Sequence, residues 1–159
     1  MPKTSVCLWF DTQAEEAANH YLSVFPGARI LASTRYAKGM PGPESSVLTV
    51  TVELGGVEYT LLNGGKHFTL SPAASIVVHC ESQADIDRFW SALSAVREAE
   101  QCGWCVDRFG VSWQVVPERL FAMLQDPDAG RRQRVTEAFM QMKKFDLAAL
   151  EAAYAKETS

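Results

Sequence analysis

Two short signatures, Thr12-Gln13-Ala14-Glu15 and Ser82-Gln83-Ala84-Asp85, each stand directly behind a short apolar run. A hydroxyl residue followed three positions later by an acid is the pattern of a capped helix start. The run before the first is Thr4–Phe10 and the run before the second is Ala74–Cys80, both short and rich in branched and aromatic residues, as buried strands are. After each start the apolar residues recur at helical spacing: Ala14, Ala17, Ala18, Tyr21, Leu22 and Phe25, then Ile86, Phe89, Trp90 and Leu93. A unit repeated twice at this length is no solenoid. It is a pair of like modules, and that duplication limits the fold more than any other feature.

Each helix is followed by strands. In the first half, 28–38 reads as a strand, then 46–54, where Leu48, Val50, Val52 and Leu54 form one apolar face opposite Val47, Thr49, Thr51 and Glu53. Gly55-Gly56 is a two-residue hairpin turn into a partner strand, Val57–Asn63. In the second half, strands are expected at about 99–106 and 111–116, joined by a turn at Asp107–Gly110. The apolar pattern beyond Pro117 is helical: a short helix at Glu118–Leu124, a start at Asp126-Pro127-Asp128 with Val135, Phe139, Met142 and Phe145 on one stripe, and a last helix capped by Asp146. The expected architecture is α+β. Two βαβββ modules, 1–70 and 71–117, form a curved, mostly antiparallel sheet with helices outside, and 118–159 adds a helical extension.

Composition narrows the functional classes. At 159 residues with 47% hydrophobic residues the chain buries a core without staples. A net charge of −4 argues against a nucleic-acid or anionic-membrane surface. No apolar run reaches the length of a membrane span, and the first residues carry no export pattern, so a cytoplasmic protein is expected. Four unevenly spaced cysteines then read as reduced thiols. The basic stretch Arg131-Arg132-Gln133-Arg134 is interspersed with acids nearby and reads as a solvated helix face.

Several phrases carry a family resemblance: Leu8-Trp9-Phe10-Asp11 with Ala14-Glu15-Glu16-Ala17 and Tyr21, then Asn63-Gly64-Gly65, Gln101-Cys102-Gly103-Trp104, the run Asp107–Pro117, and the tail Met140–Asp146. Together they resemble the PhnB-like branch of the vicinal oxygen chelate superfamily, which includes glyoxalase I, bleomycin-resistance proteins and extradiol dioxygenases. The resemblance implies a homodimer with a cavity for a small organic ligand near the subunit boundary. Members of the branch often carry the label demethylubiquinone methyltransferase. Here Asp11-Thr12-Gln13 runs straight into a helix, with no glycine-rich turn of the kind a doubly wound nucleotide site uses.

Metal-dependent members of the superfamily take ligands from the first and last strands of each module. Counted onto this chain, those positions fall at Val6 or Cys7, at Ser75 or Ile76, and at Gln114, where a glutamate is expected. Such a set offers little to offset the dehydration of a divalent ion, so no metal and no cofactor are expected. His79 is the substitute ligand if the count is displaced. The expected ligand-binding residues are Phe10, Asn63, Gln101, Cys102, Trp104, Ser112 and Gln114, with Trp9 and Trp113 packing under the helices. The leading functional expectation is a metal-free small-molecule-binding protein. The alternatives are a metal-assisted lyase, isomerase or dioxygenase, and a structural dimer module without a ligand.

Two further motifs read as structural. Cys102-Gly103-Trp104-Cys105 is a CxxC without a helix behind it or a second pair. In an extended strand Cys102 and Trp104 would share one face. Asn63-Gly64-Gly65-Lys66-His67 reads as a plain turn, lacking the residues of a phosphate loop.

Overall fold

The computed structural model describes residues 2–156, which divide into two compact units, one ending at Leu70 and one beginning at Ser71. The first unit contains β1 (Val6–Phe10), α1 (Ala14–Val24), β2 (Arg29–Arg35), β3 (Val47–Leu54) and β4 (Val57–Asn63). Its sheet has the order β1-β4-β3-β2. β1 runs parallel to β4, while β3 is antiparallel to both β4 and β2. The side of α1 carrying Ala14, Ala17, Ala18 and Tyr21 is fully buried, as its spacing predicts. Gly55 and Gly56 both have positive φ, 56° and 81°, the backbone of the two-residue hairpin turn expected there.

The buried face of β3 differs from strict alternation at its start. Val47 is buried and Leu48 is only half-buried. The cause is a register irregularity against β2: Thr34 pairs with Thr49, but Arg35 pairs with Val47. The extra residue turns the strand locally and moves Val47 onto the side of Val50, Val52 and Leu54.

The second unit holds β5 (Ile76–Cys80), α2 (Gln83–Leu93), β6 (Trp104–Val106), β7 (Ser112–Pro117), α3 (Glu118–Leu124), α4 (Ala129–Phe139) and α5 (Leu147–Ala155). The sheet order is β5-β7-β6, parallel between β5 and β7 and antiparallel between β7 and β6. The two units thus share the strand–helix–strands plan in an α+β fold. The second sheet has three strands among the described residues, one fewer than a βαβββ unit. The segment expected as a strand from residue 99 becomes a short 3-10 turn at Arg97–Ala99 and a tight turn, and β6 starts only at Trp104.

Among the described residues, three of the five helices start on a local side-chain cap, while α3 follows Pro117 without one. Ser82 Oγ accepts from Asp85 N–H (3.2 Å) and donates to Asp85 Oδ2 (2.9 Å). Asp128 accepts from Gly130 and Arg131 N–H, so α4 begins two residues past Pro127 rather than around it. Asp146 accepts from Ala149 N–H. The remaining helix is α1. Its N-cap is Gln13, without a side-chain bond, and the expected Thr12–Glu15 box does not form.

α4 ends at Phe139, so Met142 and Phe145 do not continue its stripe. They lie in the segment joining α4 to α5, where Phe145 is only 2% exposed.

Candidate functional site

The turn Gln101-Cys102-Gly103-Trp104 is the centre of the second unit's groove. Gln101 and Trp104 exchange backbone hydrogen bonds at 3.2 and 2.8 Å. Cys102 and Gly103 between them have φ of 49° and 81°, so both central residues are left-handed. Cys102 therefore sits at a turn tip and not in a strand, which removes the shared-face relation expected between Cys102 and Trp104. The carbonyls of Met142 and Lys143 accept from the Cys102 and Gly103 N–H groups at 2.8 and 2.7 Å. A Cβ at Gly103 would lie 2.3 Å from the Phe145 ring, so only glycine fits.

Beside this turn lies an open groove of about 480 Å³ lined by Pro72, Ala99, Gln101, Cys102, Trp104 and Met140. Three of the expected ligand-binding residues, Gln101, Cys102 and Trp104, are thus brought together. One more, Gln114 on β7, stands beside Trp104 by register, whereas Ser112 lies further along β7 opposite Val106. Gln114 Nε2 donates to Ser75 Oγ at 2.8 Å. Ser112 is 3% exposed, and its hydroxyl has no hydrogen-bond partner. Pairing across β7 gives this sheet face uncharged amide and hydroxyl groups beside an indole.

The two remaining expectations fall in the first unit. Phe10 is 2% exposed and packs in its core. Trp9, expected under the helices, is instead half-buried at the end of β1. Its Nε1–H donates to Gly65 O (2.8 Å), its ring meets Phe68 edge-on, and a Cβ at Gly64 would lie 2.2 Å from it. Asn63 is buried, and its side chain is already engaged. Oδ1 accepts from Ala14 N–H (2.8 Å), and Nδ2 donates to Val47 O (3.0 Å). Asn63 is thus the missing cap of α1. Sequence reading missed this because the donor and acceptor are brought together by the sheet.

Trp113 is fully buried, as expected. Its Nε1–H donates to Asp107 Oδ2 (2.8 Å), while Asp107 Oδ1 accepts from Phe109 and Val111 N–H. This buried carboxylate shapes the turn at 107–110. An aspartate followed by Gly110 signalled a turn in the sequence, but not that its acid would be buried.

The thiols divide by environment. Burial, with Asp107 and Glu100 nearby, pushes Cys105 up to about 12. Burial beside Asp85 pushes Cys80 up to about 11. Both are held as unreactive thiols near neutral pH. Cys102 is partly exposed.

The positions that resemblance assigns to a metal can be tested on their donors. Ser75 and Gln114 do meet, yet they are neutral and spend a hydrogen bond on each other. Val6 has no side-chain donor, and Cys7, the alternative at that position, is a lone thiol whose proton burial holds more tightly. His79 is exposed, with Nδ1 2.7 Å from Glu118 Oε1 and its ring 5.4 Å from that of Phe121. No group of three His, Cys, Asp or Glu side chains poised for a metal occurs among the described residues. The donor set does not fit a divalent ion.

Comparison with known proteins gives one family. Residues 2–116 match the model of the 3-demethylubiquinone-9 3-methyltransferase family. A PhnB protein from Bacillus cereus is 33% identical, with 73% of this chain covering 99% of that one at a TM-score of 0.64. A Pseudomonas aeruginosa protein, PA1353, is 20% identical, with 74% of this chain covering 98% of that one at a TM-score of 0.57, which shows the shared fold. No curated protein matches. The helices from Glu118 onward lie outside the residues matched by the family model.

Proposed function

This chain belongs to the 3-demethylubiquinone-9 3-methyltransferase family, the PhnB-like branch to which its sequence phrases point, and from that membership we propose that it binds a small, partly aromatic, uncharged molecule without a catalytic metal. The supporting observation is the groove at Gln101, Cys102 and Trp104, with Gln114 paired beside Trp104. Small-ligand sites combine apolar and aromatic walls with a few polar groups that fix orientation. Here the indole supplies the stacking surface and the neutral amide of Gln101 supplies the orienting bonds. A charged ligand would lack a counter-charge among the groove residues.

Methyl transfer, the activity in the family's name, is not part of this reading. The first strand leads through Asp11-Thr12-Gln13 into α1, and both sheets are mixed with short strands. Neither offers the glycine-rich turn of a doubly wound nucleotide fold. The same reading has the protein acting as a cytoplasmic homodimer.

The test is native mass spectrometry of freshly purified protein beside the Trp104→Ala variant. A co-purifying organic mass that is lost from the variant supports the proposal. A ligand-free protein that also ignores a panel of neutral aromatic compounds leaves a structural dimer module. Turnover that is lost on chelation and restored by a transition metal overturns it in favour of a metal-assisted enzyme.

A further inference from the structure

The first unit contains a cavity of its own, of about 580 Å³, which is independent of the groove. Topology places it. β1 and β4 run parallel, and β2, antiparallel to β3, runs the same way, so β1, β4 and β2 all end at one edge of the sheet. The residues at and just past those ends form much of the walls: Asp11 and Thr12 after β1, Glu15 in the first turn of α1, Gly64 and Gly65 after β4, and Arg35 at the end of β2 with Tyr36 after it.

The walls are fixed by their own bonds. The Tyr36 hydroxyl donates to Asn63 O. Its backbone pairs with Ser46 O and Ser45 N–H at 2.9 Å each, and its ring lies so close over Gly42 that a Cβ there would be 2.4 Å away. Asn63 ties the same end of β4 to Ala14 and Val47.

The charges at this cavity's two ends find no opposite charge among the described residues. The Asp11 and Glu15 carboxylates have no hydrogen-bond or ion-pair partner among the described residues. Among the described residues the Arg35 guanidinium donates to the backbone carbonyl of Ser45 (2.8 Å) and meets no carboxylate. Two ion pairs form elsewhere in this unit, Lys3 with Glu58 and Arg29 with Glu53, and neither involves a residue of the cavity. Asp11 and Arg35 extend the two outer strands of a four-stranded sheet, so their backbones are about 14 Å apart at ordinary strand spacing. A ligand touching both ends must carry separated opposite charges.

We propose that this cavity binds a small zwitterion whose ammonium group lies against Asp11 and Glu15 and whose carboxylate, several bonds away, pairs with Arg35. An ω-amino acid, whose ammonium and carboxylate stand several bonds apart, carries its two charges in that arrangement. Guanidinium and carboxylate match in geometry, and the acids favour a donor-rich cation.

The test is a titration of isotope-labelled protein by NMR with 6-aminohexanoate, hexanoate and hexylamine. The expected result is movement of the Gly64 and Gly65 amide signals, with the zwitterion binding about tenfold more tightly than either half-ligand. The double variant D11N/E15Q drops 6-aminohexanoate to the affinity of hexanoate. Arg35→Gln drops it to that of hexylamine, and Arg35→Lys retains most of it. Equal affinities for the three probes, no movement at Gly64 and Gly65, or indifference to the charge-removing variants overturns the proposal.

Discussion

Asn63, on β4, accepts a hydrogen bond from the backbone N–H of Ala14 at 2.8 Å and so closes the first turn of α1 from 49 residues away. The same side chain donates to Val47 O, so one amide ties helix, strand end and bulged β3 together. It satisfies a helix N-terminus whose own cap residue makes no side-chain bond.

Asn63→Ala is therefore expected to cost about 2–3 kcal/mol, the sum of a lost cap and a buried carbonyl left without its donor. Asn63→Asp keeps an acceptor for Ala14 but loses the donor to Val47, and is expected to destabilise as well. Urea unfolding of both variants checks this. An Asn63→Ala midpoint equal to wild type would show that the cap contributes nothing.

Gly103→Ala is expected to cost about 2 kcal/mol or more, because φ of 81° disfavours a side chain and the new methyl would strike the Phe145 ring. The damage is expected to reach Cys102, whose N–H is held by Met142 O. Thermal unfolding, together with the rate of Cys102 alkylation, reads both effects. Unchanged values of both would contradict the close packing.

Cys105 titrates near 12 in the folded protein and near 9.0 in its ordinary state. A raised thiol pKa means the folded protein holds its proton more tightly, so the linked stability is fully present below about pH 9 and lost between there and about 12. Wild type should therefore lose more stability than Cys105→Ala between pH 8 and pH 10.5, measured by denaturant midpoints at each pH. Parallel pH profiles for the two proteins would rule this out. At pH 8 the buried Cys80 and Cys105 are expected to resist alkylation while Cys102 reacts.

Gln114→Glu adds one carboxylate at the position where the resemblance expects a metal-binding glutamate. Its hydrogen-bond neighbour Ser75 remains neutral. Calorimetric titration with zinc or manganese is expected to show no binding tighter than about 1 μM. Tighter binding would mean that other donors complete the site.

The local pattern of the chain carried much of the architecture. The apolar runs gave β1 and β5, the hydroxyl–acid signature gave the start of α2, and Gly55-Gly56 gave the hairpin between β3 and β4. Each depends on residues a few positions apart, where backbone preference and side-chain reach act directly. The neighbourhood of Gln101, Cys102, Trp104 and Gln114 was also legible, because a turn and a paired strand keep near residues near. The count that set Ser75 with Gln114 likewise landed on two residues that touch.

What failed did so wherever a distant partner outweighed the local pattern. Thr12 had the right chemistry for a cap, but Asn63 reached the helix first. Leu48 had the right alternation, but an irregular pairing with β2 buried Val47 instead.

By itself the sequence determined the duplicated α+β plan, the apolar stripes of α1 and α2 and the caps at Ser82 and Asp146, since all of these arise from contacts within a turn or two of chain. Only the tertiary structure decided that Asn63 caps α1, that Asp107 is buried against Trp113, and that Cys102 and Gly103 turn against the carbonyls of Met142 and Lys143. Such hydrogen bonds form when strands and loops far apart in sequence are brought within about 3 Å, and no local propensity encodes that distance.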